Sequence, residues 1–257
     1  MLKKNLKKPD QNLVSQSNKL VEASYKMSIT AKRVMLLFLG QIHPGQQDIS
    51  GKVRITASEY SSKAGVDLSQ SYKDIQEGCL ELMNTVITTK NSVEKTTEKC
   101  VVIDWMQYHD NEGWLEATFT RWISPYIQSL RQSGYTKIKI NEALKFKRFY
   151  SIRLFELLMQ WQGTGSRFIT LVDIRNIFQI GKNKYPLFSA LKKWVLDPSI
   201  KEINEKSSWV VEYTVVKTGK KVTSLSFVFY ENKQNSFDGR YPITIDMIDE
   251  MDLIDKD

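Results

Sequence analysis

One order of elements runs through this chain twice: a long apolar helix, a short strand, a short helix ended by a glycine, a longer helix, and alternating strands. In the first half a short helix spans 17–24. Ser28 then caps a helix running to about Ile42, apolar on nearly every side through Val34, Met35, Leu36, Leu37, Phe38, Leu39 and Ile42, so its place is the centre of a domain. The His43-Pro44-Gly45 break ends it, and a strand over 52–56, a helix over 57–64 stopping at Gly65 and a helix over about 68–84 follow. Alternating runs over 86–90, 100–107 and 114–120 predict strands of one sheet. The second half repeats the order with a helix over 149–162, a strand over 168–172, and a short helix capped by Asp173 and stopping at Gly181. A helix over about 185–196 comes next, then Asp197-Pro198 opens another through Asn204. Two strands, 209–217 and 222–230, form a hairpin around Thr218-Gly219-Lys220-Lys221. Laying Arg54-Ile55-Thr56 over Thr170-Leu171-Val172 sets Gly65 over Gly181, an offset of 116 in both cases. This is the order of a winged helix-turn-helix, so the expected fold class is α+β with two tandem winged-helix domains.

The expected division is a basic flexible arm over 1–12, a first domain over 13–133, a second over 134–232 and an acidic tail over 233–257. At 257 residues, 41% of them apolar, the chain has material for two cores. Its most apolar stretch, 34–42, is too short to cross a membrane, and the basic N-terminus lacks the apolar segment of a secretory signal, so a cytoplasmic protein without membrane contact is expected. Cys79 and Cys100, the only cysteines, are too few for a disulfide framework or a structural zinc site, and a reducing compartment follows. Charge is unevenly placed. Residues 236–257 hold seven acids against Arg240 and Lys256, a local charge of −5, which leaves +13 on residues 1–235 of a chain carrying +8. Such an excess suits a polyanion, because each phosphate neutralised by Lys or Arg releases condensed counterions.

In a helix-turn-helix the second helix enters the major groove, so its outward face must carry donors. Over 185–196, helical spacing puts Leu187, Phe188, Leu191, Trp194 and Val195 inside and Ser189, Lys192 and Lys193 outside. The preceding turn adds Lys182, Asn183 and Lys184 near a helix N-terminus, where backbone N–H groups already favour phosphate. Lys217, Lys220 and Lys221 surround the hairpin tip, where a wing meets the adjacent groove. A lone lysine-bearing helix would be an ordinary solvated face; the convergence of turn, helix and wing points to double-stranded DNA. The corresponding helix of the first half has a buried stripe of Tyr72, Ile75, Cys79, Leu82 and Met83. Outside it lie Gln70, Lys73, Asp74, Glu77 and Glu81, whose carboxylates repel phosphate. Only its first turn, with Ser69, Gln70, Ser71 and Lys73, suits a backbone or base contact, so the first domain is the weaker reader. The aromatic residues Trp105, Tyr108, Trp114, Trp122 and Tyr126 are expected to fill sheet and domain interfaces, with stacking on single strands the competing use.

The stretch Tyr185-Pro186-Leu187-Phe188-Ser189-Ala190-Leu191-Lys192-Lys193-Trp194-Val195-Leu196-Asp197-Pro198-Ser199-Ile200-Lys201-Glu202-Ile203-Asn204 resembles the signature of iteron-binding plasmid replication initiators. So do Val14-Ser15-Gln16-Ser17-Asn18-Lys19-Leu20-Val21-Glu22-Ala23 and Arg153-Leu154-Phe155-Glu156-Leu157-Leu158, and the likeness covers about residues 13–231. It implies a monomer that binds repeated origin sites, opens adjacent AT-rich duplex and recruits the host initiator and replicative helicase. It also implies a homodimer in equilibrium with that monomer, joined through the first domain and repressing its own promoter. By position, Lys192 and Lys193 fall in the family's major-groove helix and Lys220 and Lys221 at its wing.

Two other functions compete. A winged-helix transcription regulator usually obtains two half-site contacts by dimerising one such domain, whereas this chain holds two unequal ones. A nicking enzyme would need a tyrosine and metal-binding histidines, but His43 and His109 stand in separate segments without a His-x-His pair, His43 reading as a helix-end residue and His109 as a loop residue. Gly163-Thr164-Gly165-Ser166 lacks the Gly-Lys-Ser/Thr of a phosphate loop. No enzyme activity, metal or cofactor is therefore expected. The acidic tail reads as a solvated extension; the sharper alternatives are that it docks on a host replication protein, or folds back on a basic surface and weakens nonspecific DNA binding.

Overall fold

Residues 12–91, 94–109, 112–128, 130 and 134–232 are described by a computed structural model; residues 1–11 of the expected arm and all of the tail over 233–257 lie outside them. Strand β1 (Leu13–Ser17) leads into helix α1 (Asn18–Glu22), whose first turn Ser17 caps by accepting from the Leu20 amide. Helix α2 (Ile29–Leu39) starts where the sequence places it, with Ser28 Oγ accepting from the Ala31 amide, and every residue from Ala31 to Leu39 is buried. Strand β2 (Val53–Thr56), helix α3 (Ala57–Ala64) and helix α4 (Leu68–Asn84) follow. Then come β3 (Ile87–Asn91), β4 (Thr96–Cys100), β5 (Ile103–His109) and β6 (Trp114–Phe119). Strand β7 (Tyr135–Lys139) and helix α5 (Ile140–Ala143) precede helix α6 (Phe149–Met159), in which Ser151 to Met159 are all buried. Strand β8 (Ser166–Thr170), helices α7 (Leu171–Ile177), α8 (Phe188–Leu191) and α9 (Asp197–Lys206), and the long hairpin β9 (Trp209–Thr218) and β10 (Lys221–Glu231) complete the second unit.

The two units are built alike. Each has a three-stranded antiparallel sheet in the order first strand, third, second: β2-β6-β5 and β8-β10-β9. Each first strand ends on a threonine that caps the next helix and accepts from the amide three residues on, Thr56 from Glu59 and Thr170 from Asp173. These caps correct the offset. They are 114 positions apart, Val172 lies inside α7 rather than ending β8, and Asp173 is not the cap but the acceptor of the Thr170 hydroxyl at 2.6 Å. Strand β4 and the short helix α5 do not stand out in the sequence, and β3 pairs with β4 and bridges to Ser24 through Thr88 instead of joining the main sheet. All but the last residue of β4 are exposed, so no apolar alternation marks it. The pairing of β1 with β7, from Leu13↔Lys139 to Ser17↔Tyr135, brings together segments more than a hundred residues apart across the expected boundary at 133/134. Nor are there two cores: the buried apolar residues, Leu130 apart, form one cluster running from Val14 to Phe229.

A set of fully buried polar groups joins the two all-buried helices. Glu156 of α6 pairs with Lys32 of α2 at 2.7 Å and with Arg153 at 2.7 Å. Lys32 and Arg153 both donate to the Tyr25 hydroxyl, Arg153 also reaches the carbonyls of Val21 and Ala23, and Gln16 of β1 donates to Glu156. Burial lowers the Lys32 ammonium to about 8 against the opposing pull of Glu156. Burial alone would raise the Glu156 carboxyl, but Lys32, Arg153 and the hydrogen bonds from Lys32 and Gln16 hold it below its ordinary value of 4.5. Below that value the unfolded chain binds the proton first, so stability falls as pH drops from 4.5 through the lower native value.

Glu156→Gln therefore leaves two buried cations without their counter-ion and should cost about 3–5 kcal/mol in urea unfolding at neutral pH. Its unfolding curve should also lose the component of acid sensitivity that the parent shows below pH 4.5; an equal acid response in both proteins contradicts the assignment. Thr56→Ala and Thr170→Ala should each cost about 1 kcal/mol in the same assay, whereas a neutral result at either would show that its cap is dispensable.

Candidate nucleic-acid interface

Arg175 of α7 positions the turn that precedes the second unit's candidate reading helix. Its guanidinium donates to the carbonyls of Lys184 (3.1 Å) and Tyr185, and the Lys184 amide closes the turn on Gly181 at 2.9 Å. Tyr185 takes a positive φ of 53°, and the helix begins at Phe188 rather than at Tyr185. Lys182, Asn183 and Lys184 are all exposed on this turn. Sequence reading missed Arg175 because nothing local marks a cation whose task is to hold two carbonyls about ten residues away.

Two helices broken at Asp197-Pro198 are expected, but one continuous helical path is found. Helix α8 passes into a π-helical segment over Lys192–Leu196 and then into α9, with Leu196 (φ −71°, ψ −60°) and Asp197 (φ −58°, ψ −45°) both right-handed. Pro198 has no N–H for the carbonyl of Trp194 and its ring crowds that oxygen; the wider turn in front of it accommodates both. The wider turn also shifts the phase of the side chains. Leu191 and Val195 are buried and Phe188 is half-buried, but Trp194, expected inside, is 55% exposed, and Leu187, which precedes the helix, is 68% exposed. The outward face thus carries Ser189, Lys192, Lys193 and Trp194.

The two lysines differ. Lys192 Nζ donates to Tyr213 of β9 at 3.0 Å and to Asp197 at 3.1 Å, and these bonds hold its pKa above the ordinary lysine value. Lys193 Nζ instead lies 5.1 Å over the Trp194 ring, a weak tether at an exposed site. Lys217, Lys220 and Lys221 are exposed around the tip of the β9-β10 hairpin. There Thr218 pairs with Lys221, and Gly219 supplies the φ of +61° that a two-residue loop requires at its first position.

In the first unit, Ser69, Gln70 and Lys73 are exposed on the first turn of α4. Ser71 is not: it is fully buried and its hydroxyl donates to the Asp67 carbonyl at 2.7 Å, so it leaves the candidate surface. The buried stripe is Ser71, Ile75, Gly78, Cys79 and Leu82, with Met83 half-buried. Gly78 permits the close approach of α2, since a Cβ there would stand 2.9 Å from Val34. Tyr72, expected inside, lies instead against Gly113 at the β5-β6 hairpin. The carboxylates of this helix are occupied locally: Asp74 accepts from Gln70, Glu77 faces Lys73 at 3.7 Å, and Glu81 accepts from the amide and hydroxyl of Ser28.

Among the aromatic residues expected in the interior, Tyr126 is buried, Tyr108 and Trp114 are partly so, and Trp105 and Trp122 are exposed. Trp114 is sandwiched, with Arg54 3.8 Å and His109 3.4 Å from its ring, and Lys52 lies 4.6 Å over Trp105. His109 is thus a strand residue rather than a loop residue. His43 is not a helix-end residue: α2 ends at Leu39, and His43 accepts from the Gly45 amide at 3.0 Å in the turn that follows. Among the described residues, no three His, Cys, Asp or Glu side chains come together as a metal site would need, and no helix is long and apolar enough to cross a membrane.

Two sequence profiles match the chain: "Initiator Replication protein, WH1" over residues 13–159 and "Initiator Rep protein, WH2" over 170–229. The PI protein of Escherichia coli is 29% identical over 251 residues, covering 84% of this chain and 82% of its own. A replication initiation protein of Escherichia coli is 23% identical over 223 residues, covering 84% and 68% respectively. The crystal structure of Pi initiator protein in complex with iteron DNA superimposes with a TM-score of 0.75 at 24% identity, over 89% of this chain and all of that one, a likeness of fold. With both winged-helix regions matched across most of its length, the chain belongs to the family of initiator replication proteins.

Proposed function

We propose that this protein starts plasmid replication by binding repeated double-stranded sites at an origin, reading them chiefly with its second winged helix. The observation that carries this reading is the coincidence, in one small domain, of an exposed cationic turn, a helix whose outward face holds Lys192 and Lys193, and a hairpin tipped by Lys217, Lys220 and Lys221. Lys193, bound only to a neighbouring ring, is the better candidate for a base edge, while Lys192, held by Tyr213 and Asp197, presents a fixed charge to the backbone. Wing lysines contribute sequence-independent attraction. The exposed first turn of α4 gives the first domain a lesser contact through Ser69, Gln70 and Lys73. Membership of the initiator family supports the remaining steps: opening of adjacent duplex, recruitment of the host initiator and helicase, and repression of its own promoter by a homodimer formed through the first domain. It supports a cytoplasmic, non-enzymatic role equally.

Footprinting on DNA flanking the gene should reveal several protected repeats of one sequence; protection of a single promoter site alone would favour a transcription regulator. Lys193→Ala should weaken binding to such a repeat by about 1–3 kcal/mol and relax its sequence preference. Lys220→Ala or Lys221→Ala should instead lower affinity for every duplex and reduce the salt slope by about one unit. Binding isotherms at several salt concentrations check both, and the opposite pattern would exchange the roles of helix and wing.

A further inference from the structure

The two sheets are built alike but differ on the faces turned away from the core. In the first, that face is polar and closed on itself: Lys52 and Arg54 lie over Trp105 and Trp114 and pair with Glu116. In the second, Ile169, Val211, Leu225, Phe227 and Phe229 point inward, so the alternation of a strand turns Phe168, Val210, Val216, Val228 and Tyr230 outward. Phe168 is 61% exposed, Tyr230 40% and Val216 37%. The cross-strand register makes them one patch: Phe168 opposes Ser226, Val228 opposes Glu212, Tyr230 opposes Val210 and Ser224 opposes Val216. Glu212 is the one charge among these outward positions. An apolar patch spread over three strands marks a surface that is covered by something.

The chain carries a fitting cover. Strand β10 ends on this sheet at Glu231, the Asn232 amide donates to the Ser208 carbonyl at 2.7 Å, and residues 233–257 continue from that point. At about 3.3 Å per residue they reach about 80 Å, against a sheet about 35 Å long. Their sequence alternates Tyr241, Ile243, Ile245 and Met247 with Pro242, Thr244 and Asp246, the period of a pleated surface, and then concentrates Asp249, Glu250, Asp252, Asp255 and Asp257. At the end of the sheet opposite Asn232 stand the exposed wing lysines Lys217, Lys220 and Lys221. We propose that residues 236–257 pack their apolar positions over the outward face of the second sheet and bring their carboxylates to the wing lysines, where they compete with DNA phosphate. The competition rests on the DNA reading above; the docking does not.

Docking is tested in the full chain with a nitroxide on Thr214→Cys, in a Cys100→Ser background because Cys79 is buried. The methyl signals of Ile243, Ile245 and Ile248 should broaden; unbroadened signals overturn the proposal. Competition is tested by truncation after Asn235. Affinity for a nonspecific duplex at fixed salt should rise roughly tenfold, and the salt slope should steepen by about two units as wing lysines are released. Phe168→Asp in the full chain should give the same rise, and should add nothing to the truncated protein. Broadening with unchanged affinity overturns the competition, and concentration-dependent self-association lost in Phe168→Asp would make a second copy the cover instead. If Lys220→Ala and Lys221→Ala leave the truncated protein's duplex affinity unchanged, the wing's DNA role fails while broadening still reports the docking.

Discussion

Segments of this protein more than a hundred residues apart are held in register by charges that neither segment could bury alone. Glu156, Arg153, Lys32 and Tyr25 are fully shielded from solvent, and isolated ions in such a place would be prohibitively costly. Two cations face one carboxylate, so carbonyls of Val21 and Ala23 and the Tyr25 hydroxyl take up the other terminal N–H groups of Arg153, and only its Nε is left unpaired. The groups come from β1, the segment after α1, α2 and α6, and their mutual bonds form only when these elements pack together, with Arg153 Nε and Gln16 Oε1 left without a partner. The same packing makes the apolar residues one continuous cluster.

Two copies of one architecture have been put to different uses. Both units keep the sheet order and the threonine cap, features that depend on backbone hydrogen bonding and tolerate wide changes elsewhere. The surfaces diverge. The first unit's α4 spends its carboxylates on Gln70, Lys73 and the capping serine of α2, and its sheet closes cations over tryptophans. The second unit leaves lysines exposed on turn, helix and wing and an apolar face on its sheet.

Much of the fold was legible because its signals are local. The cap at Ser28, the glycine ending α3 and the two-residue loop of the last hairpin each depend on residues within a few positions of one another. Strand β4 and the pairing of β1 with β7 were not legible, since an exposed strand carries no alternation and a two-stranded ribbon between distant segments has no local trace. Candidate contacts were legible as charge, less so as geometry. Ser71 failed as a contact because the stripe of α4 turns through Ser71 and Gly78 rather than Tyr72, a choice made by the close approach of α2.

What the sequence determined by itself was the order of elements, their duplication, most helix starts and the concentration of positive charge ahead of an acidic end. Each of these is a property of neighbours along the chain or of simple counts. Only the tertiary structure decided which side of a helix faces out and which charges are already spoken for. Trp194 is exposed because Pro198 widens the turn before it, Lys192 is tethered because Tyr213 arrives from a strand twenty-one residues later, and Arg175 matters because a turn folds back onto it. Such outcomes are contact energies between residues far apart in sequence, and they exist only once the chain has closed on itself.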